Sequence, residues 1–373
     1  MQSFTAFIEI NLQKFQIANL PGAEIERIRI MNRRPTIQDV ARLAGVSVAT
    51  VDRVVNGRNP VRSDKTQRVL EAAETLGFYA IGAIKNRITA TSPHHKVGIL
   101  LQQPKQQFYQ NFAQAFLEAA TKRKDLGLDV AVDFLPSQRP GDVVSALRTM
   151  ANRVEAIAMV AIDHPDINEA VTELKQKQFP VYALLSDFAL SSRSAYLGVN
   201  NLQSGRTGAW FIHHNTKQAG KIAICVGSHR FHGHELRESG FRSYFREHAP
   251  DFTLLETLVS LEDDEIMYDT TLNLLKRHND LIGLFVAGAG KDGAIRALRE
   301  ERSEGDVATV CYELTTETRL GLTQNFVTAV LGTPLSTLCE ETLRLIHQAL
   351  VQKQFLYSSQ VFLPFEIFIS ENI

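Results

Sequence analysis

Thr36-Ile37-Gln38-Asp39-Val40-Ala41-Arg42-Leu43-Ala44-Gly45-Val46-Ser47-Val48-Ala49-Thr50-Val51-Asp52-Arg53-Val54-Val55-Asn56 is the stretch from which the rest of the chain is read. Thr36 is a good N-cap, and Ile37, Val40, Ala41 and Ala44 recur at i, i+3, i+4 and i+7, so a short amphipathic helix starts here. Gly45 supplies the positive φ needed to leave that helix sharply. Ser47 caps a second helix with Val51, Val54 and Val55 facing inward and Val48, Ala49, Asp52 and Arg53 facing out. Two short helices around a glycine turn form a helix-turn-helix, which sets its second helix in a DNA major groove. An ordinary helical hairpin is the alternative on pattern alone.

The same residues resemble the N-terminal signature of the LacI/GalR family of bacterial transcriptional regulators, matched at nearly every position of TIQDVARLAGVSVATVDRVVNG. Asp52 departs, because serine is usual there. The resemblance continues through Val61-Arg62-Ser63, Thr66, Val69, Ala72-Ala73 and Leu76-Gly77-Phe78. It implies a homodimeric regulator that lays the helix headed by Ser47 in a major groove of near-palindromic double-stranded operator DNA. Val48 and Ala49 would face base edges and favour thymine methyls, while Thr50 and Arg53 would bond to phosphate or a guanine edge. Thr36 and Asn56 would fix the register on the backbone. Asp52 would accept from a cytosine amino group or orient Arg53.

A chain of 373 residues is too long for one core and suggests two or three domains. Its 44% hydrophobic and 22% charged content is that of a soluble globular protein. The near-zero net charge of -1 hides an asymmetry. Arg33, Arg34, Arg42, Arg53, Arg58, Arg62, Lys65 and Arg68 outnumber Asp39, Asp52 and Asp64 over the headpiece, a footprint suited to phosphates. No apolar run approaches the roughly 18 residues of a membrane span, so no membrane partner is expected. Cys225, Cys311 and Cys339 lack metal-ligand spacing, and the first two sit in apolar runs as small buried hydrophobes. With no secretion signal apparent, this pattern points to a reducing cytoplasm.

Four segments are expected. Residues 1–32 form an N-terminal extension, either a disordered arm or an over-extended gene start with Met31 as the usual initiator. Residues 33–78 form the all-α helix-turn-helix domain, completed by a third helix capped by Ser63 or Asp64 and closed by Gly77. Residues 79–95 form a linker. By the family resemblance this is a hinge helix whose wedge into the minor groove falls on Ile88. The family's usual Pro is Ile81 here, and a plain flexible linker is the alternative.

Residues 96–373 form the effector-binding and dimerisation domain. Val97–Leu101, Leu128–Val132, Ala156–Ala161 and Val181–Leu185 read as strands alternating with helices. A second set follows at Lys221–Val226, Leu254–Leu258, Ile282–Val286 and Val307–Val310. Strands apolar on both faces argue for parallel sheets, here two doubly wound α/β lobes. They resemble the periplasmic sugar-binding-protein fold, which forms the regulatory core of the same family.

Ligands of open α/β sheets bind beyond the carboxyl ends of the strands. Phe108 and Tyr109 follow the first strand, where rings either stack on a sugar face or pack in the core. Asp163 and His164 follow the third and Asp187 the fourth, as acceptors for paired hydroxyls or as solvated caps. In the second lobe His234, Glu235 and Arg237 lie in a loop resembling the family's R-x-R-x-x-GF, with Glu235 where its effector-binding arginine belongs. Gly288-Ala289-Gly290 replaces the usual Asn or Asp, and Glu313 matches a late carboxylate. The expected effector is a sugar, polyol or related molecule. His229, His232 and His234 lack the spacing of a closed zinc site, no nucleophile motif is present, and neither metal nor cofactor is expected. A transport-type solute-binding protein shares the core but has no use for a basic headpiece.

Overall fold

The computed structural model describes residues 34–56, 61–82, 84, 94–354 and 359–373. The chain divides into two compact units, Met1–Pro93 and His94–Ile373. The expected extension, most of the linker and Ile88 lie outside the described residues.

In the first unit, α1 spans Ile37–Ala44 and α2 spans Val48–Asn56. Thr36 and Asp39 form a reciprocal capping box. The Asp39 amide donates to Thr36 Oγ1 at 3.4 Å, and the Thr36 amide donates to Asp39 Oδ2 at 2.9 Å. Gly45 leaves α1 at φ 62°, and its carbonyl accepts from Arg68 Nη2 at 3.1 Å. The Thr50 amide donates to Ser47 Oγ at 3.2 Å, which makes Ser47 the cap of α2. Helix α3, Ser63–Leu76, follows the extended residue Arg62, which makes no side-chain cap. It therefore begins one residue earlier than a Ser63 cap would place it. Val40, Val51, Val54, Val69, Ala73, Phe78 and Ile84 close a core that neither helix could bury alone.

The second unit holds two lobes. The first contains β1 (His95–Leu101), α4 (Gln107–Lys122), β2 (Leu128–Phe134), α5 (Pro140–Ala151), β3 (Ala156–Met159), α6 (Pro165–Gln176), β4 (Val181–Leu184) and β5 (Ala195–Val199). The chain crosses to the second lobe for α7 (Asn201–Asn215), β6 (Lys221–Val226), α8 (His232–His248), β7 (Thr253–Leu254), β8 (Leu258–Val259), α9 (Asp264–Arg277), β9 (Leu281–Val286), α10 (Lys291–Glu301), β10 (Ala308–Tyr312), α11 (Thr316–Thr323) and β11 (Ala329–Gly332). It returns for α12 (Leu335–Leu350) and β12 (Ser359–Leu363), and crosses once more to β13 (Glu366–Phe368).

The first sheet runs β12-β5-β4-β3-β1-β2, all parallel. The second runs β13-β11-β10-β9-β6-β7, with β8 also on β6 and only β13 antiparallel. Alternation along β6 shows why such strands read as continuously apolar: Ala223 and Cys225 enter one core cluster, while Ile222, Ile224 and Val226 enter another across the sheet. Burial raises the Cys225 and Cys311 thiols to about 12, so both behave as apolar filler.

Several elements differ from the periodicity. Strand β5 is fully buried but was not among the expected strands, because the polar Ser191-Ser192-Arg193-Ser194 run precedes it. The expected strand at 254–258 is two short ones, pairing at opposite ends of β6. Strand β4 stops at Leu184 because Leu185 takes φ 63°. Strands β11, β12 and β13 are additional to the expected series. Among the described residues, no helix is long and apolar enough to cross a membrane.

Candidate functional site: an exposed helix face and an interlobe cleft

The first unit leaves one face of α2 outside its core. Val48, Ala49 and Arg53 are exposed and Thr50 and Asp52 half-buried, while Val51, Val54 and Val55 are buried. Asp52 Oδ1 accepts from Asn56 Nδ2 at 2.6 Å, so this carboxylate orients Asn56, one turn on, instead of Arg53. The Thr36 hydroxyl is committed to Asp39 at 2.7 Å, and the Ser47 and Thr50 hydroxyls pair with each other at 2.9 Å.

In the second unit both sheets direct the carboxyl ends of their strands at a shared cleft of about 570 Å³, its open mouth included. From the first lobe come Phe108 and Tyr109 after β1, Val160 after β3, and Leu185 and Ser186 after β4. The two rings meet edge to face, centroids 5.1 Å apart. Tyr109 belongs to the lobe core and lines the cleft as well, so packing and ligand contact are not exclusive.

From the second lobe come His234, Arg237, Glu262, Lys291, Tyr312 and Glu313. Arg237 is buried, with its guanidinium 3.6 Å from the Tyr312 ring centroid. It donates from Nε to Asn201 Oδ1 and from Nη1 to the Ala287 carbonyl, each at 2.8 Å. Asn201 reaches back to the Leu185 carbonyl at 3.1 Å and so links the lobes at their first crossing. Glu313 accepts from the Thr333 amide at 2.9 Å and hydroxyl at 2.6 Å. His234 Nδ1 lies 3.0 Å from the Ser228 carbonyl and 3.3 Å from the Ser228 amide, which anchors the ring to the turn after β6. Burial and the nearby Arg237 lower the His234 pKa to about 3, which keeps the ring neutral. Burial raises the Glu262 pKa to about 7 against the pull of Lys291 and Arg237. Leu185, Glu262 and Glu313 all have left-handed backbones, at φ 63°, 65° and 66°. Each costs on the order of 1 kcal/mol or more, and such residues gather where a loop must aim a side chain.

Direct bonds join the lobes around the cleft. Gln106 Nε2 donates to the Glu262 carbonyl at 3.1 Å, the Thr316 amide donates to Gln107 Oε1 at 3.2 Å, and the Gly233 amide donates to Ser186 Oγ at 3.1 Å. Phe231, from the second lobe, is buried in the core of the first.

Of the residues expected in this site, the cleft brings together Phe108, Tyr109, His234, Arg237 and Glu313. It does not bring in Asp163, His164, Asp187 or Glu235. Asp163 is exposed and accepts from Asn168 at 2.9 Å. His164 caps α6. Asp187 is buried against Arg193, whose Nη2 donates to it at 2.6 Å. Glu235 is exposed beside His232, and His229 pairs with Glu238, so the three histidines of this loop have three different partners. Glu262, Lys291 and Asn201 were not among the expected residues. The rule of strand carboxyl ends covers Lys291, which follows Gly288-Ala289-Gly290 beyond β9, whereas Glu262 is hidden in the acidic run 262–265.

The fold and site define a two-lobed binding module of the periplasmic type, preceded by a helix-turn-helix. Residues 97–354 match the model of the periplasmic binding protein domain, and residues 36–80 match that of the bacterial regulatory proteins of the lacI family. The chain belongs to the lacI family of bacterial regulatory proteins, with a periplasmic binding protein domain as its core. It is 24% identical to the sucrose operon repressor of Pediococcus pentosaceus, over 73% of this chain and 82% of that one. It is 39% identical to catabolite control protein A of Priestia megaterium over 89 residues, which spans only 26% of that relative and 24% of this chain. Among solved structures, a solute-binding protein of an ABC transporter from Burkholderia graminis, in complex with D-arabinose, aligns with a TM-score of 0.69 at 18% identity. The alignment covers 76% of this chain and 98% of that one. One from Actinobacillus succinogenes with bound D-allose aligns at 0.67 and 18% identity, over 75% and 99% of the two chains.

Proposed function

We propose that this protein is a cytoplasmic transcriptional repressor, homodimeric on its operator, whose DNA affinity is set by a sugar-like molecule held between the two lobes. The observation that carries the reading is the α2 face. Val48, Ala49 and Arg53 stand outside a core that is complete without them, on a helix held by a capped turn. Small apolar Val48 and Ala49 suit thymine methyls, and Arg53 suits a guanine edge or a phosphate. Thr50 and Ser47 add backbone contacts, and the Asp52–Asn56 bond presents the Asn56 amide in a fixed direction. Phe108, Tyr109, His234, Arg237 and Glu313 contact the effector. The protein acts by binding and not as an enzyme, in keeping with relatives named as a repressor and as transcriptional regulators.

Coupling follows from the bonds that join the lobes. An effector that prefers one relative rotation of the lobes shifts the population of DNA-competent dimers, and about 1–3 kcal/mol is the usual scale of such linkage. The experiment is a footprint on the DNA upstream of the protein's own gene, with and without candidate sugars. Wild type should protect a near-palindromic site, and Arg53→Ala should lose that protection by at least tenfold in affinity while keeping ligand binding in the cleft. An unchanged Arg53→Ala footprint would refute the assignment of α2.

A further inference from the structure

The charges of the cleft do not pair among themselves. Lys291, the first residue of α10, is only 9% exposed. Among the described residues its Nζ has neither a hydrogen-bond nor an ion-pair partner. The neighbouring Asp292 is turned towards the Thr315 hydroxyl, 3.5 Å away. Arg237 is also buried without a carboxylate, since its donors go to Asn201 and the Ala287 carbonyl. The two cleft carboxylates differ. Glu313 is satisfied by Thr333. Glu262 is 8% exposed, and its Oε1 has no hydrogen-bond donor. Glycine at position 227 makes room for that oxygen, because a Cβ there would stand 1.6 Å from it.

Lys291 and Glu262 line the same cavity, so an ammonium without a partner on a largely buried side chain stands beside a carboxyl group with one oxygen unsatisfied, and each is unfavourable. A neutral sugar offers the ammonium only hydroxyl oxygens. A carboxylate offers it full charge compensation, while a hydroxyl elsewhere on the ligand supplies the missing donor to Glu262. We infer that the cleft takes a polyhydroxylated monocarboxylate, a sugar acid, in preference to the matching neutral sugar, with its carboxylate at Lys291 and a hydroxyl donating to the Glu262 carboxyl group. The inference rests on the proposed reading of the cleft as an effector site. Burial supports it further, by holding Glu262 largely protonated below about pH 7 and so reducing repulsion of the incoming carboxylate. Asp264, Asp292 and Glu313 are the other acidic groups of this neighbourhood.

Calorimetric titration of the full chain with gluconate, galactonate, arabinonate, glucuronate and galacturonate, beside glucose, galactose, arabinose and their alditols, tests this. At least one acid should bind at least 30-fold more tightly than its neutral counterpart at pH 7. Lys291→Met should reduce that preference to within about threefold. Glu262→Gln should abolish the weakening of acid binding between pH 6 and 8. A neutral sugar that binds as tightly as its acid overturns the inference and leaves the sugar-effector reading standing. If none of these compounds binds at millimolar concentration while the operator footprint persists, the inference falls together with the effector half of that reading.

Discussion

Glu262 and His234 lie 3.7 Å apart in the cleft wall and titrate in opposite senses. From its ordinary value near 4.5 up to about 7, the Glu262 carboxyl ionises in the unfolded chain while the folded chain keeps its proton. Folding therefore loses stability as pH rises through that window, to a limit of roughly 3 kcal/mol. His234, held neutral down to about 3, acts the other way: stability is lost as pH falls below the ordinary imidazole value of 6.5. Wild-type stability mixes the two effects, but Glu262→Gln isolates one. Thermal unfolding of the second unit in the full chain should show this variant gaining on wild type between pH 5 and pH 8. A melting-temperature difference that is the same at both pH values would show that Glu262 does not titrate in that range.

At the scale of elements, the Asp187–Arg193 pair shows how one side chain can be committed to architecture. Arg193 is wholly buried, donates to both oxygens of Asp187, and reaches from Nη1 to the Ser359 carbonyl at 2.7 Å. It thereby ties β4 and β5 to β12, the strand that follows the return from the second lobe. Removing one partner of a buried pair leaves the other uncompensated, which costs about 3–5 kcal/mol. Asp187→Ala should lower the melting temperature accordingly while changing ligand affinity little in the fraction that remains folded. A large loss of affinity with normal stability would instead make Asp187 a ligand contact, as its place after β4 suggested. The headpiece shows the opposite case: α1, its Thr36 cap and Gly45 were all legible, because each depends on residues within a few positions of one another.

On the proposed function, the first unit meets the phosphates of the operator and the second does not. Salt should separate the two. Operator affinity should fall by on the order of 10³–10⁵ between 50 and 200 mM salt, given 6–10 phosphate contacts in a dimer, as counterion release requires. Ligand affinity in the cleft, where charges are buried, should change by no more than a few-fold over the same range. Gel shifts and calorimetry at the two salt concentrations check both halves. An operator affinity insensitive to salt would be incompatible with the basic headpiece as the DNA-binding surface.

Sequence alone determined the classes of element and their grouping. The 3.6-residue period around Thr36–Asn56 defined a helix-turn-helix, and the alternation of apolar strands with helices defined two parallel α/β lobes, because both signals are local and repeated. It also located Phe108, Tyr109, His234, Arg237 and Glu313 near strand ends that converge. Tertiary structure alone decided which loop carboxylates face the cleft. Asp187 and Glu262 both follow strands, yet one is held by Arg193 and Gln360 and the other lines the cleft with its Oε1 left unsatisfied. That choice depends on left-handed backbones at Leu185 and Glu262 and on partners as far away in the chain as Gln360. Neither kind of information is contained in a local pattern of residue types.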